Sequence, residues 1–343
     1  MRIGIALNPN PPFVSAPGDG RNRGRRRRRR DLLALALISI TVLLGAGCGV
    51  VGGHFWLGVR APVVHLSRTA AHSNEVLSTA TRPIRPLAFS SSWLASHPPP
   101  DLGIAATEGI EVDLDSGRVL WERAPDVQRA PASLTKMVTA MVALDLASMG
   151  TEVTVSALAA QEPPDLMGLS AGEVVSVRDL MYGMFLDSGN DAAEALADGL
   201  VMHDRFIALM NAKARAMGLL DLRFMNPTGL DQPGHQASAY DLAVIAASLV
   251  TYYPELLPIA DTRQISIPAT ASHKAYQAYS LDKMLWSYPG AVGLKTGFTD
   301  AAGGCVASLA VRGKRRILAV VMNSDVFFTD AGKLLDYGFS TPA

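Results

Sequence analysis

Pro131-Ala-Ser-Leu-Thr-Lys-Met-Val-Thr-Ala-Met-Val-Ala-Leu-Asp-Leu-Ala147 is the stretch around which the rest of the chain reads. A proline that suits a helix start is followed by a run that is apolar on nearly every face. A helix apolar all round belongs in the middle of a fold, with other elements packed against each side. Its first turn nevertheless carries Ser133 and Lys136. On an α-helix, three steps of about 100° leave the two side chains about 60° apart and one turn apart, on one face. A hydroxyl and an amine at the mouth of a buried helix form a nucleophile–base pair.

Outward from that helix the pattern is mixed. Toward the N-terminus, Ile110-Glu-Val-Asp-Leu114, the turn Asp115-Ser-Gly117 and Val119-Leu-Trp-Glu-Arg123 predict a β-hairpin. Toward the C-terminus a short strand, Glu152-Val-Thr-Val-Ser156, precedes Ser176-Val-Arg-Asp179, the signature of a capping box opening a helix over Val177–Leu186. Helices are expected over Asp191–Leu200, from about Arg205 to Met217, and from the Ser238-Ala-Tyr-Asp241 cap to Val250. Ile265-Ser-Ile267 is a further short strand. Strands over Val292–Gly297, Gly304–Val311 and Arg316–Asn323 follow, with Gly313-Lys314 as a turn, and a closing helix runs through Lys333-Leu-Leu-Asp-Tyr337. Two strands, a helical block, three strands and a helix predict an α/β (α+β) fold. It has an antiparallel five-stranded sheet flanked by helices, with an inserted helical lobe.

The 343 residues are 49% hydrophobic and 18% charged, with 31 basic and 31 acidic side chains. Residues 1–31, which contain the Arg25–Arg30 block, hold so much of the positive charge that the remainder is acidic. An acidic body argues against nucleic acid as a partner. Residues 32–59 contain no Lys, Arg, Asp or Glu and are long enough to span a bilayer. Arginines directly ahead hold that end in the cytoplasm, so the globular part is expected outside it. A retained transmembrane anchor is the reading adopted. A cleaved signal segment and a lipoprotein signal ending at Cys48 remain alternatives. Residues 60–104, rich in Pro, Ser, His and Ala and closed by Pro98-Pro-Pro100, read as a linker. The domain proper is expected over 105–343, and Cys305 reads as a small buried residue.

Three short motifs stand in order: Ser133-x-x-Lys136, Ser188-Gly-Asn190 and Lys295-Thr-Gly297. Each alone is weak, being as readily a helix start, a turn and a solvated strand lysine. Together they match the trio of serine β-lactamases and penicillin-binding proteins. Ser133 at a helix N-terminus has its N–H directed where an oxyanion would form. Lys136 can accept the serine proton only when neutral, and burial and a second cation, Lys295, both favour that form. Ser188, between two helix ends, can shuttle a proton, while Asn190 offers an amide to a substrate peptide group. If the Lys295-Thr296-Gly297 strand is the sheet edge, it can pair with an extended peptide as an added strand, while Lys295 and Thr296 meet a carboxylate.

The matching text extends well beyond the trio. Arg129-Ala-Pro-Ala-Ser-Leu-Thr-Lys136, Leu186-Asp-Ser-Gly-Asn-Asp-Ala-Ala193, Asn226-Pro-Thr-Gly-Leu-Asp231, Tyr288-Pro-Gly-Ala-Val-Gly-Leu-Lys-Thr-Gly-Phe-Thr299 and Leu334-Leu-Asp-Tyr-Gly-Phe339 all contribute. From about Ala105 to Phe339 the chain resembles the serine-type D-Ala-D-Ala carboxypeptidases, the low-molecular-mass penicillin-binding proteins of the β-lactamase/DD-peptidase superfamily. The resemblance implies Ser133 as the acylated nucleophile, Lys136 as general base and Ser188 as proton relay. It implies substrate contacts from Asn190, Lys295, Thr296 and Gly297, and an oxyanion hole from the N–H groups of Ser133 and Phe298. The implied substrate is a peptidoglycan stem peptide ending in D-Ala-D-Ala, with β-lactams as covalent inhibitors and no metal or cofactor. The implied location is the bacterial cell envelope. The chain ends almost at Phe339, where many relatives continue into a β-rich domain and an amphipathic anchor.

A class A β-lactamase would need a glutamate on a loop after the second motif, and none stands between Glu194 and Glu255. A penicillin-binding sensor or scaffold that acylates without turnover remains an alternative. The seven histidines are scattered and form no H-E-x-x-H, which disfavours a metallopeptidase. His235, in Pro-Gly-His-Gln, reads as a loop hydrogen-bonder.

Overall fold

Residues 82–342 are described in a computed structural model. The expectations for the arginine-rich segment 1–31, the apolar segment 32–59 and the first part of the linker, 60–81, lie outside the described residues. Residues 82–104 do not behave as a linker. Ile84, Leu87, Phe89 and Leu94 pack on the main core and Trp93 and Leu102 on a second one. Ser90 bridges Arg118, and a short helix, α1 (Ser92–Ser96), lies between. These apolar residues follow no period, because they are laid along a surface rather than built into an amphipathic element.

β1 (Glu108–Asp113) and β2 (Arg118–Arg123) form the first hairpin. Its turn is held by Asp113, whose Oδ1 accepts from the backbone N–H groups of Asp115 and Ser116 at 3.0 and 3.1 Å. A 3₁₀ turn over Ala132–Thr135 leads into α2 (Lys136–Leu146), in which every residue from Lys136 to Leu144 is buried. β3 (Glu152–Thr154) pairs with β4 (Val174–Ser176), a partner too short to carry a pattern of its own.

α3 (Val177–Leu186) opens on Ser176, whose Oγ accepts from the Asp179 N–H at 3.1 Å. Only half of the expected box is present, since the Asp179 carboxylate takes the Ser176 hydroxyl instead of the backbone N–H. α4 (Asn190–Leu200) and α5 (His203–Ala216) follow. α6 (Ala239–Tyr252) opens on a complete capping box between Ser238 and Asp241. After α7 (Leu257–Ala260), β5 (Gln264–Ile267) pairs with β6 (Tyr276–Tyr279), and α8 (Met284–Ser287) precedes the main sheet. β7 (Ala291–Thr299), β8 (Gly303–Arg312), β9 (Arg315–Met322) and α9 (Phe327–Ser340) complete the chain.

The five-stranded sheet runs β2-β1-β9-β8-β7, antiparallel throughout. The first hairpin pairs with the last strands, so the whole helical block is an insertion between β2 and β7. Alternation along β9 explains why both sheet faces are covered. Leu318, Val320 and Met322 enter the core shared with α2 and α6, while Ile317, Ala319 and Val321 face α9. α2 therefore has neighbours on every side, as an all-apolar helix requires. Truncating its fully buried Met141 to alanine would cost about 2–5 kcal/mol. Cys305 is buried in β8, and burial pushes its thiol up to about 11. Among the described residues, no single helix is long and apolar enough to cross a membrane.

Candidate active site

The turn before α2 sets the site. The expectation that Ser133 begins an α-helix is corrected: it lies in the 3₁₀ turn, and the α-helix starts at Lys136. A 3₁₀ turn advances about 120° per residue, so side chains three apart eclipse instead of diverging. Lys136 Nζ consequently lies 2.8 Å from Ser133 Oγ. Ala132 adopts φ +49°, a left-handed conformation uncommon for alanine. It is held there by a chain of contacts. Thr135 Oγ1 donates to Ala132 O at 2.9 Å and meets His235 Nε2 at 2.9 Å, while His235 Nδ1 accepts from Met225 N–H at 3.3 Å. Burial holds His235 down at about 4, so it is a neutral hydrogen-bonder.

Two glycines keep the Ser133 amide uncovered. A Cβ on Gly297 would fall 2.8 Å from Ser133 N, and one on Gly229 would fall 2.9 Å from it and 1.9 Å from Ala132 O. Gly229 also has φ +87°, which glycine alone adopts freely.

Lys136 is fully buried, and its Nζ meets three oxygens: Ser133 Oγ at 2.8 Å, Asn190 Oδ1 at 2.7 Å and Thr228 O at 2.6 Å. The last two can only accept. A neutral amine has two N–H groups for them and a lone pair left for the serine hydroxyl. Burial drives the Lys136 pKa well below the ordinary lysine range, and the nearby Lys295 cation adds to the effect. Asp165, Asp191 and Glu162 oppose it. Glu162 comes from the loop ahead of β4, on the N-terminal side of the Ser188-Gly-Asn190 motif.

The second motif is a left-handed corner. Ser188 has φ +58° and Asn190 opens α4. Asn190 Nδ2 donates to Pro163 O at 2.9 Å, which aims its Oδ1 at Lys136. Asp191, buried behind it, accepts from the N–H groups of Met167, Gly168 and Leu169 at 2.7–2.9 Å and so fixes the loop that carries Pro163 and Asp165.

Lys295, also buried, donates to Ser188 Oγ at 3.0 Å and Thr296 O at 2.9 Å. Burial lowers it to about 8 against the attraction of Asp282 and Asp165. Asp282 is itself pushed up to about 6, mainly by burial. Thr296 is buried and Gly297 abuts Ser133 on β7, the outer strand of the sheet, whereas the Phe298 side chain is 66% exposed.

The structure thus brings all eight residues singled out in the sequence to one cleft. Six of them form two hydrogen-bonded groups, Ser133–Lys136–Asn190 and Ser188–Lys295–Thr296, joined through the 188–190 loop. Sequence reasoning missed the Thr228 carbonyl, Asp191 and Asp282. The Asn226-Pro-Thr-Gly turn was visible, but a backbone acceptor has no residue signature.

The family model described as D-alanyl-D-alanine carboxypeptidase matches residues 94–326. DacF of Bacillus subtilis, a D-alanyl-D-alanine carboxypeptidase, is 30% identical over 286 residues, covering 77% of this chain and 71% of that one. DacB2 of Mycobacterium tuberculosis, of the same activity, is 35% identical over 253 residues, covering 71% and 85%. Among solved structures, a D-alanyl-D-alanine carboxypeptidase from Mycobacterium tuberculosis is 33% identical with a TM-score of 0.66, covering 76% of this chain and 97% of that one. A Streptomyces DD-transpeptidase is 28% identical with a TM-score of 0.65, covering 69% and 98%. The length of the family match, the identities and the shared fold together place this chain in the family of serine-type D-alanyl-D-alanine carboxypeptidases.

Proposed function

We propose that the protein is a serine D-Ala-D-Ala carboxypeptidase that releases the terminal D-Ala of peptidoglycan stem peptides through an acyl-enzyme on Ser133, and that penicillins acylate the same serine. The observation that carries the reading is the set of three oxygens around a buried, pKa-depressed Lys136, one of them the Ser133 hydroxyl. Lys136 takes the Ser133 proton as Oγ attacks the carbonyl carbon of the penultimate D-Ala. The carbonyl oxygen gains the negative charge and faces the N–H groups of Ser133 and Phe298. As the C–N bond breaks, the proton that Lys136 took passes through Ser188 to the departing D-Ala nitrogen, which leaves Lys136 neutral again. Water then attacks the ester, Lys136 accepting its proton, and Ser133 is regenerated with the shortened peptide as free acid. Asn190, Thr296 and Gly297 hold the peptide against β7 as an added strand, and Lys295 keeps Ser188 in place while supplying positive charge.

We place the enzyme outside the cytoplasmic membrane, tethered by residues 32–59, with residues 60–81 as spacer. The arginine block followed by an uncharged apolar run supports this. Full-length protein should sediment with membranes, and external protease should release the catalytic part from spheroplasts. A protein found in the soluble fraction of intact cells would overturn the tether.

The test of the activity uses the detergent-solubilised full chain with a diacyl-L-Lys-D-Ala-D-Ala tripeptide and a fluorescent penicillin. Free D-Ala should appear, should stop once penicillin labels the protein, and both signals should vanish in Ser133→Ala and Lys136→Ala. Labelling without release would favour a sensor or scaffold. Labelling retained by either variant would overturn the assigned roles.

A further inference from the structure

The proposed substrate ends in a free carboxylate, which a carboxypeptidase must recognise to act only at the chain end. Lys295 is poorly placed to be the sole cation for that purpose. It is buried, two of its donors are committed to Ser188 Oγ and Thr296 O, and it is half deprotonated near pH 8.

A cavity of about 210 Å³ opens beside it, with Ser188, Thr296, Gly297, Leu281, Phe327 and Phe328 in its lining. Lys283 lines the same cavity. Its side chain is exposed, and among the described residues its ammonium has no hydrogen-bond or ion-pair partner, only the face of Phe328 at 5.8 Å. Phe327 packs closely on the β8 backbone: a Cβ on Gly304 would come within 2.3 Å of its ring. Phe327 and Phe328 also open α9, so the positive end of that helix borders the cavity. Asp165 also lines the cavity, and its charge acts on the two buried lysines, Lys136 and Lys295.

Resting on the carboxypeptidase reading above, we propose that Lys283 binds the carboxylate of the substrate's terminal residue, with Phe327 and Phe328 flanking that residue's side chain. Chain-end specificity is then shared between the Lys295-Thr296 strand and a loop lysine between β6 and α8, outside the three motifs. A short cavity with one unpaired cation accommodates a terminal acidic group and disfavours a peptide that continues.

The experiment compares wild type, K283Q and K283R on two substrates, diacyl-L-Lys-D-Ala-D-Ala and its C-terminal amide. K314Q, in the β8–β9 turn, is the charge-matched control. On the free acid, K283Q should raise KM and lower kcat/KM about tenfold, K283R should restore most of the loss, and K314Q should match wild type. On the amide, wild type should already be slow and K283Q no slower. Raising the salt should bring wild type toward K283Q on the acid alone. An unchanged kcat/KM on the acid, or an equal loss on both substrates, overturns the proposal.

If wild type is labelled by penicillin without releasing D-Ala, the acylation rate replaces kcat/KM, because penicillins carry a carboxylate. A K283Q rate equal to wild type then overturns the proposal. Absence of both release and labelling in wild type overturns the carboxypeptidase reading, and this inference with it.

Discussion

Asn190 Oδ1 accepts from Lys136 Nζ at 2.7 Å, and the orientation of the amide is fixed because its Nδ2 donates to Pro163 O. The asparagine thus occupies one N–H of the lysine and leaves the lone pair directed at Ser133. It serves the base as much as the substrate.

Asn190→Asp would set a carboxylate against Lys136 and favour the ammonium. The Lys136 pKa should rise by about one unit or more. Because the neutral amine is the active form, acylation at neutral pH should fall and the ascending limb of its pH profile should move upward. Penicillin labelling rates from pH 5 to 10 check this, and an unshifted limb would remove Asn190 from control of the base.

Lys295 should set the opposite limb. With its pKa at about 8, its charge is present below that pH and lost above it. Acylation should therefore decline above about pH 8. In Lys295→Arg the guanidinium stays charged, so whatever rate survives should not show that decline. The same labelling series reads both variants.

The glycines flanking Ser133 act differently. Gly297→Ala places a Cβ 2.8 Å from Ser133 N and 2.9 Å from the Ala132 Cβ. It should abolish labelling with a modest change in Tm. Gly229→Ala meets a carbonyl oxygen at 1.9 Å with φ +87°. It should cost about 3 kcal/mol or more of folding stability, measured by urea unfolding.

A buried network holds α2 to α5 and α6 away from the chemistry. Lys213 pairs with Asp145, and Tyr253 OH donates to Asp145 Oδ1 at 2.7 Å while accepting from Lys213 Nζ at 2.6 Å. Asp145→Ala leaves a buried ammonium unpaired and should cost about 3–5 kcal/mol. Folded variant at low temperature should retain wild-type D-Ala release, because nothing in the network touches the cleft.

Much of this was legible in the sequence because the signals were local and repeated. The all-apolar run of α2 required neighbours on every side. Ser238 and Asp241 marked a helix start that the structure completes atom for atom. What stayed hidden depends on tertiary surroundings. Pro131-Ala-Ser reads as an α-helix start, yet Ala132 is pressed against Gly229 and the turn tightens to 3₁₀. β4 and β6 exist because a partner strand lies beside them. Asp191 reads as an ordinary first-turn acid and proves to hold a distant loop through backbone N–H groups. Lys283 and Phe327 lie far apart in the chain, and only the packing of β6, α8 and α9 brings them to one cavity.

The three oxygens around Lys136 have a further consequence, for timing. A lysine side chain confined to one rotamer has lost on the order of 2 kcal/mol of conformational freedom. Here that loss is incurred when the chain folds, once in the life of the molecule. No search by the amine for its serine precedes any turnover, and the encounter that would be bimolecular in solution is already complete before a peptide arrives.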